Sequence, residues 1–213
     1  MKKIILCSAV LFCSWYAGAQ VSYGVMGGLQ HIDARVKIFE GPVVPVRPGY
    51  GFHVGAFLKV PFDKDLYFVP QLLYSLKGFT VQYNNALRDS VVNNKLEMHY
   101  VEIPALLQFD TRNDGEGIFF QFGPSVSVAF GGTDKKTFLN GKERKNPVKF
   151  ANTAYGRFEM NLVGKIGYQV KDKWFVAGGY AFGLGNIVND DLSPRIAPRM
   201  ITVSAGFFFP GKL

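Results

Sequence analysis

The stretch that decides the fold is "IFFQFGPSVSVAF", Ile118 to Phe130. Every second residue falls into one of two sets, which is the pattern of a β-strand whose side chains point alternately to opposite faces. The apolar face carries Ile118, Phe120, Phe122, Pro124, Val126, Val128 and Phe130. The opposite face carries Phe119, Gln121, Gly123, Ser125, Ser127 and Ala129. The fold class depends on whether the apolar face turns inward to a core or outward to lipid.

Eight segments of the chain have strand patterns, and almost none has helical periodicity. The abundance of glycine and aromatic residues, with 24 Gly and 20 Phe, is typical of many closely packed strands and turns. The predicted strands are Val21–Gln30, Tyr50–Val60, Leu66–Phe79, Leu96–Phe109, Ile118–Phe130, Phe158–Val170, Trp174–Asn186 and Ile201–Phe209.

Short and long connections between these strands alternate strictly. The short ones are 61–65, 110–117 and 171–173, and the long ones are 31–49, 80–95, 131–157 and 187–200. An up-and-down barrel with both termini on one side places all its short turns at one end. Outer-membrane barrels have this asymmetry, whereas a soluble meander has no reason to sort its connections by length.

The seventh predicted strand indicates which face meets lipid. Its large residues lie on one side, and the other side is lined with Ala177, Gly179, Ala181, Gly183 and Gly185. Such small residues suit the cramped interior of a narrow barrel, where eight strands leave little room. The sequence therefore predicts an all-β fold, an eight-stranded antiparallel up-and-down transmembrane β-barrel. The alternative is a soluble periplasmic lipocalin-like barrel that binds an apolar ligand, and it requires the apolar faces inside.

The first 19 residues have the pattern of a cleaved secretory signal peptide. Lys2 and Lys3 form a basic start, Ile4–Phe12 is apolar, and Ala17–Ala19 offers small residues for cleavage. The apolar run is too short for a membrane-spanning helix of about 20 residues. We therefore expect residues 20–213 to form one outer-membrane barrel domain, placed in the bacterial outer membrane after export.

Composition restricts the chemistry of this mature domain. Both cysteines, Cys7 and Cys13, lie in the predicted signal, so disulfides, thiolate metal sites and cysteine nucleophiles are excluded. Removing Lys2 and Lys3 from the 24 basic residues leaves 22 against 16 acidic ones, a modest net charge of +6. The secretory signal separates the protein from the cell's nucleic acid, so no nucleic-acid partner is expected.

Charged residues on the predicted inner faces form a candidate lumen cluster: His53, Lys59, Lys77, Glu102, Glu159 and Lys165. We expect these charges to pair, because an isolated buried ion is very costly. The cluster then serves as a structural plug, with a gated small pore as the alternative. Glu102 and Glu159 could also be read as a hydrolytic carboxylate pair, but three lysines compete to neutralise them. The motifs predict no catalytic residues, no metal site and no cofactor.

The third long connection, "GGTDKKTFLNGKERKNPVKFANTAYGR", is strongly basic. Its candidate surface-contact residues are Lys135, Lys136, Lys142, Arg144, Lys145 and Lys149. One interpretation is contact with anionic lipopolysaccharide or with an acidic partner at the cell surface. The other is an ordinary solvated loop.

Several segments resemble the PorT-like family of outer-membrane β-barrels, in order along nearly the whole mature chain. They are "VPQLLYSLKG" (69–78), "YVEIPALLQF" (100–109), "FFQFGPSVSVAFGG" (119–132) and "GGYAFGLGNI" (178–187). The resemblance implies an eight-stranded barrel in the outer membrane. Some members of that family take part in protein secretion to the cell surface, and no catalytic residues come with the resemblance.

The function expected from the sequence is that of a small, monomeric, non-enzymatic structural or interaction component of the outer membrane, with an accessory role in secretion implied by the resemblance. Its expected partners are outer-membrane lipid and lipopolysaccharide, with envelope or secretion proteins as further candidates. An outer-membrane enzyme that modifies lipid or peptide is the remaining alternative to this and to the soluble lipocalin-like barrel.

Overall fold

The computed structural model describes residues 21–37, 43–83, 91–112, 115–148, 150, 156–171, 173–184 and 195–210, so the predicted signal peptide lies outside the described residues. The described residues form eleven β-strands. These are β1 (Ser22–Lys37), β2 (Val43–Val44), β3 (Val46–Arg47), β4 (Gly49–Asp63), β5 (Leu66–Gln82), β6 (Val91–Asp110), β7 (Gly117–Phe138), β8 (Glu143–Pro147), β9 (Phe158–Val170), β10 (Trp174–Gly183) and β11 (Arg195–Phe208). Within these ranges no helix is long and apolar enough to cross a membrane.

The strands close into a barrel because the first long strand pairs with the last. Neighbours run antiparallel in the order β11-β10-β9-β7-β6-β5-β4-β1, and β1 also pairs with β11. Gly27 lies at the closure, with Ala205 as its partner on β11 and Val54 on β4. The short strands β2, β3 and β8 each pair with one long strand. The other eight form the closed antiparallel barrel, which confirms the predicted fold class.

The strands expose their apolar residues and bury their polar ones, which is the reverse of the arrangement in a water-soluble protein. On β7, Phe122 is 59% exposed, whereas Gln121 and Ser127 are 6% and 0% exposed. The same apolar outer surface continues around the barrel through Leu29, Val54, Leu72, Ile103, Met160, Ile166, Val176, Ile201 and Val203. Continuous apolar surface of this kind suits lipid, and polar side chains fill the interior. A lipocalin-like barrel with an apolar ligand cavity needs the opposite arrangement.

Apolar side chains also fill part of the interior, in two buried clusters. One contains Met26, Phe57, Val69, Leu73, Phe119, Phe175, Ala177 and Phe208. The other contains Ile32, Ala34, Phe79, Val81, Leu96, Met98, Tyr100, Leu106, Ala129, Val148, Val163, Ala181 and Met200. Phe57, Phe119 and Phe175 of the first cluster meet edge to face, with ring centroids 5.4 and 5.9 Å apart. The interior is therefore packed with side chains, as expected for so few strands.

Several strands extend further into the long connections than the sequence pattern predicted. The predicted strand ends were Gln30, Leu96, Phe130 and Ile201, whereas the observed ends are Lys37, Val91, Phe138 and Arg195. Beyond the apolar band the outer faces carry polar residues such as Lys95 and Lys135, so the apolar alternation disappears while backbone pairing continues. The seventh predicted strand is too long at Leu184, since β10 ends at Gly183; its predicted end, Asn186, lies outside the described residues.

The outward orientation of the apolar face predicts the effect of two matched substitutions. Leu72 lies in the middle of the apolar band and is 58% exposed, and Leu139 lies beyond β7 and is 69% exposed. We expect Leu72→Arg to cost about 2–4 kcal/mol of barrel stability because it places a cation in hydrocarbon, and Leu139→Arg about 0–1 kcal/mol. Urea unfolding in phospholipid vesicles measures both. Equal stabilities of the two variants would contradict the lipid-facing assignment.

Candidate functional site

Polar side chains form one layer inside the barrel at the end that carries the short turns. Lys59 Nζ on β4 lies 2.6 Å from Asp110 Oδ2 at the end of β6, and it donates to Gln169 Oε1 on β9 at 3.1 Å. Gln108 Nε2 donates to Asp110 Oδ1 at 2.6 Å, and Gln121 Nε2 donates to Gln108 Oε1 at 2.7 Å. The layer therefore links four strands across the lumen through hydrogen bonds to an ion pair.

A second polar layer is centred on Lys77 of β5. Its ammonium contacts Glu102 Oε1 of β6 and lies 2.8 Å from Glu159 Oε1 of β9. Ser127 Oγ donates to Glu102 Oε1 at 3.2 Å, and Asn161 Nδ2 donates to Glu159 Oε1 at 2.8 Å. The side chains of Lys77 and Glu159 are only 4% and 3% exposed. One lysine thus holds two buried carboxylates.

Lys165 and His53 lie between the two layers and contact neutral partners. Lys165 Nζ donates to Gln71 Oε1 at 3.2 Å, and His53 Nε2 lies 3.0 Å from Ser204 Oγ. Both residues line a cavity of about 40 Å³ together with Glu102. Such a space has room for one or two water molecules.

The structure divides the six predicted lumen residues into separate groups. Lys77, Glu102 and Glu159 are brought into direct contact, and Lys165 and His53 lie beside them around the cavity. Lys59 is separated from them, because the inner-facing Phe57 lies between it and His53 on β4.

Sequence reasoning missed the partner of Lys59. Asp110 was assigned to the turn, whereas it is the last residue of β6 and only 6% exposed. The signal was present, because Gln108 and Asp110 continue the two-residue spacing that starts at the inner-facing Glu102.

The segment predicted as a basic loop is in part a β-hairpin. Lys135 and Lys136 lie on β7, Arg144 and Lys145 on β8, and Lys142 between the two strands. The loop prediction failed here because cations on both faces hide the strand alternation. Lys149 lies outside the described residues.

An aromatic cluster covers the outer surface below this hairpin. Tyr74 Oη and His99 Nδ1 are 2.7 Å apart. The Phe130 ring lies 6.2 Å from that of Tyr74 and 6.0 Å from that of His99, and the Phe52 ring lies 5.8 Å from Tyr74. Amphipathic rings grouped in this way are typical of the boundary between hydrocarbon and water.

The part of the chain that the structure describes contains no candidate metal site. There, no three His, Cys, Asp or Glu side chains lie close enough together to bind a metal ion. Glu102 and Glu159 share one lysine as their cation.

Comparison with protein families gives one match over most of the chain. The family described as "Outer membrane protein beta-barrel domain" matches residues 17–189. None of the curated proteins compared with the sequence is significantly similar to it.

Three solved bacterial structures illustrate the likeness to other barrels. Ail, the attachment invasion locus protein of Yersinia pestis in complex with the heparin analogue sucrose octasulfate, is 13% identical with a TM-score of 0.46, over 89% of this chain and 99% of that chain. Neisserial surface protein A is 15% identical with a TM-score of 0.48, over the same shares. The N-terminal β-barrel domain of Pseudomonas aeruginosa OprF is 12% identical with a TM-score of 0.31, over 86% of this chain and 97% of that domain. At these identities and scores none of the three informs the function of this chain.

The shared role of Lys77 predicts a difference between two lysine variants. Lys77→Met leaves two buried carboxylates without a contacting cation, and we expect it to cost about 3–5 kcal/mol of stability. Lys165→Met removes a hydrogen bond to a neutral amide and serves as the matched control, with an expected cost of about 1–3 kcal/mol. Urea midpoints in vesicles measure both. Adding Glu102→Gln and Glu159→Gln to Lys77→Met should recover most of the loss, and no recovery would contradict the charge explanation.

Proposed function

The chain belongs to the outer membrane protein beta-barrel domain family, and from that premise we propose that it is a non-enzymatic structural or interaction component of the bacterial outer membrane. The observation that carries this proposal is the arrangement of a continuous apolar outer surface around a lumen filled by paired charges and apolar clusters. A barrel of this kind offers lipid its sides and offers other molecules only its ends.

The packed lumen supports a plug in preference to a pore. Polar layers at Lys59 and Lys77 cross the interior, and Phe57, which packs edge to face against Phe175, lies between Lys59 and the cavity-lining His53 along β4. The cavity itself, at about 40 Å³, is too small for a solute larger than a few water molecules. The six lumen residues therefore serve stability and a unique packing of the barrel.

The absence of enzymatic activity is part of the proposal and is supported by the environment of the two glutamates. A hydrolytic carboxylate pair needs environments that separate the two pKa values. Glu102 and Glu159 instead contact the same ammonium group from two strands, and each also accepts a hydrogen bond from a neutral side chain. Their common role is to neutralise Lys77.

The working surface that we propose is the end with long connections, where the basic hairpin lies. Its partners are outer-membrane lipid and lipopolysaccharide, together with envelope proteins. We expect the protein to act as a monomer, since the eight long strands close on one another and leave no edge within the barrel for another copy. Residues 1–19 act as the export signal and are removed.

The finer proposal is an accessory role in protein secretion to the cell surface, within a PorT-like group. It is supported by four segments that resemble that group and occur in the same order along the chain, at 69–78, 100–109, 119–132 and 178–187. An accessory of this kind needs no catalytic residue, only a stable barrel and an accessible end.

Cell fractionation tests the outer-membrane proposal. We expect the protein in outer membranes, shortened by its signal, with a compact SDS-gel band that shifts on boiling because the barrel resists detergent when unheated. A freely soluble periplasmic product without a shift would overturn the proposal.

Deletion of the gene tests the secretion role separately. We expect cell-surface proteins that cross the outer membrane to accumulate in the periplasm, and restoration by the wild-type gene. Normal surface delivery in a strain that lacks the protein would remove the accessory role and leave the outer-membrane assignment intact.

A further inference from the structure

Three lysines on neighbouring strands stand side by side in the hairpin region. Lys95 of β6 is the pairing partner of Lys135 of β7, and Lys135 is the pairing partner of Lys145 of β8. Directly opposite residues on antiparallel strands share a face and have Cβ atoms about 4.5–5.5 Å apart. The three charges therefore form a row about 10 Å long on one face.

This row faces outward, on the lipid side of the barrel wall. On β6 the alternate residues Asn94 and Leu96 are 6% and 2% exposed and turn inward, whereas the side chain of Lys95 is 53% exposed. Lys135 is 39% exposed at its side chain, and Lys145 is an exposed residue. The row is thus accessible to groups in the membrane plane rather than to the lumen.

The row carries more positive charge than its own face neutralises. Lys95 Nζ lies 2.7 Å from Glu97, and Lys135 Nζ lies 2.8 Å from Glu143. Among the described residues no carboxylate forms an ion pair with Lys145. Like charges placed directly opposite one another destabilise a sheet. An external anion that binds the row would reduce this repulsion and neutralise the remaining positive charge.

The height of the row matches the polar surface of the membrane. The aromatic cluster of Tyr74, His99 and Phe130 marks the edge of the apolar band, and Lys95 lies four residues beyond His99 on the same strand. Four residues rise about 13 Å along a strand, or about 10 Å along the membrane normal after a tilt of 35–45°. Lysine side chains reach several ångströms from that height, so they meet the headgroups.

From these observations we propose that Lys95, Lys135 and Lys145 bind the phosphate groups of lipopolysaccharide in the surrounding outer leaflet. This inference rests on the proposed outer-membrane role and names the chemistry of one contact within it. The lysine ammonium is a compact point charge suited to phosphate. Thr133 and Thr137, on the same face of β7, supply hydroxyl groups beside the row.

The opposite face of the hairpin supplies a control with the same charge. Lys136 of β7 is the pairing partner of Arg144 of β8, and both share the face of the inward Asn94. Lys142 lies between the strands. Neutralising Lys136, Arg144 and Lys142 removes three positive charges from the hairpin without touching the outward row.

The test compares two triple variants in micelles of an uncharged detergent. The row variant is Lys95→Gln, Lys135→Gln and Lys145→Gln, and the control is Lys136→Gln, Lys142→Gln and Arg144→Gln. Binding of diphosphorylated lipid A and of lipid A without phosphate is measured by native mass spectrometry.

Each lysine near an anionic surface contributes about fivefold in affinity, so we expect a roughly 100-fold loss of lipid A affinity for the row variant. The control should lose less than about fivefold, and wild type should prefer the phosphorylated lipid.

Three results would overturn this inference: equal losses in both variants, equal binding of lipid A with and without phosphate, or inorganic polyphosphate competing as strongly as lipid A. The last result would identify a general polyanion surface instead of a lipid site. Outer-membrane recovery and the heat-dependent gel shift of the same variants are measured in parallel. If the row variant is recovered in outer membranes and binds lipid A as wild type does, the lipid contact alone is rejected. If the wild-type protein itself is not recovered in outer membranes, the proposed function is rejected.

Discussion

Pairing of β1 with β11 is the constraint on which the rest of this structure depends. Hydrocarbon offers no partners for backbone N–H and C=O groups, so a sheet in lipid must close and satisfy them all internally. Closure with eight long strands produces a narrow interior. It also turns every second side chain towards lipid, which explains why Val203 is 66% exposed and the adjacent Ser204 only 2% exposed. The apolar exterior and the packed lumen are two consequences of one closed sheet.

The narrow interior in turn dictates how its charges are arranged. A lysine or carboxylate taken out of water must meet a partner of opposite charge or a set of hydrogen bonds. Lys77 meets two glutamates and Lys59 meets Asp110, and neutral amide and hydroxyl groups complete both layers. Replacing such layers by apolar side chains can be neutral or stabilising in other proteins. We propose that their value here is a unique alignment of strands across the lumen.

The same strands change their character where they leave the apolar band. Below the aromatic cluster around His99 the outer faces of β6 and β7 are apolar, and above it the same faces carry Lys95 and Lys135, with Lys145 of β8 beside them. The side of the barrel is thus divided by height into a lipid-facing zone and a cationic zone. The proposed lipopolysaccharide contact lies in the second zone, because the first zone faces hydrocarbon and the lumen is filled.

The sequence by itself determined the number of long strands, their up-and-down order and which face of each meets lipid, because side-chain alternation and turn length are local properties of the chain. It also placed His53, Lys59, Lys77, Glu102, Glu159 and Lys165 on inner faces. Only the tertiary structure decided which of them touch. Lys77 and Glu159 are 82 residues apart, and Lys59 and Asp110 are 51 apart. Their contacts depend on strand register around a closed barrel, as does the row of Lys95, Lys135 and Lys145, and register is set by pairing between strands and not by the pattern within any one of them.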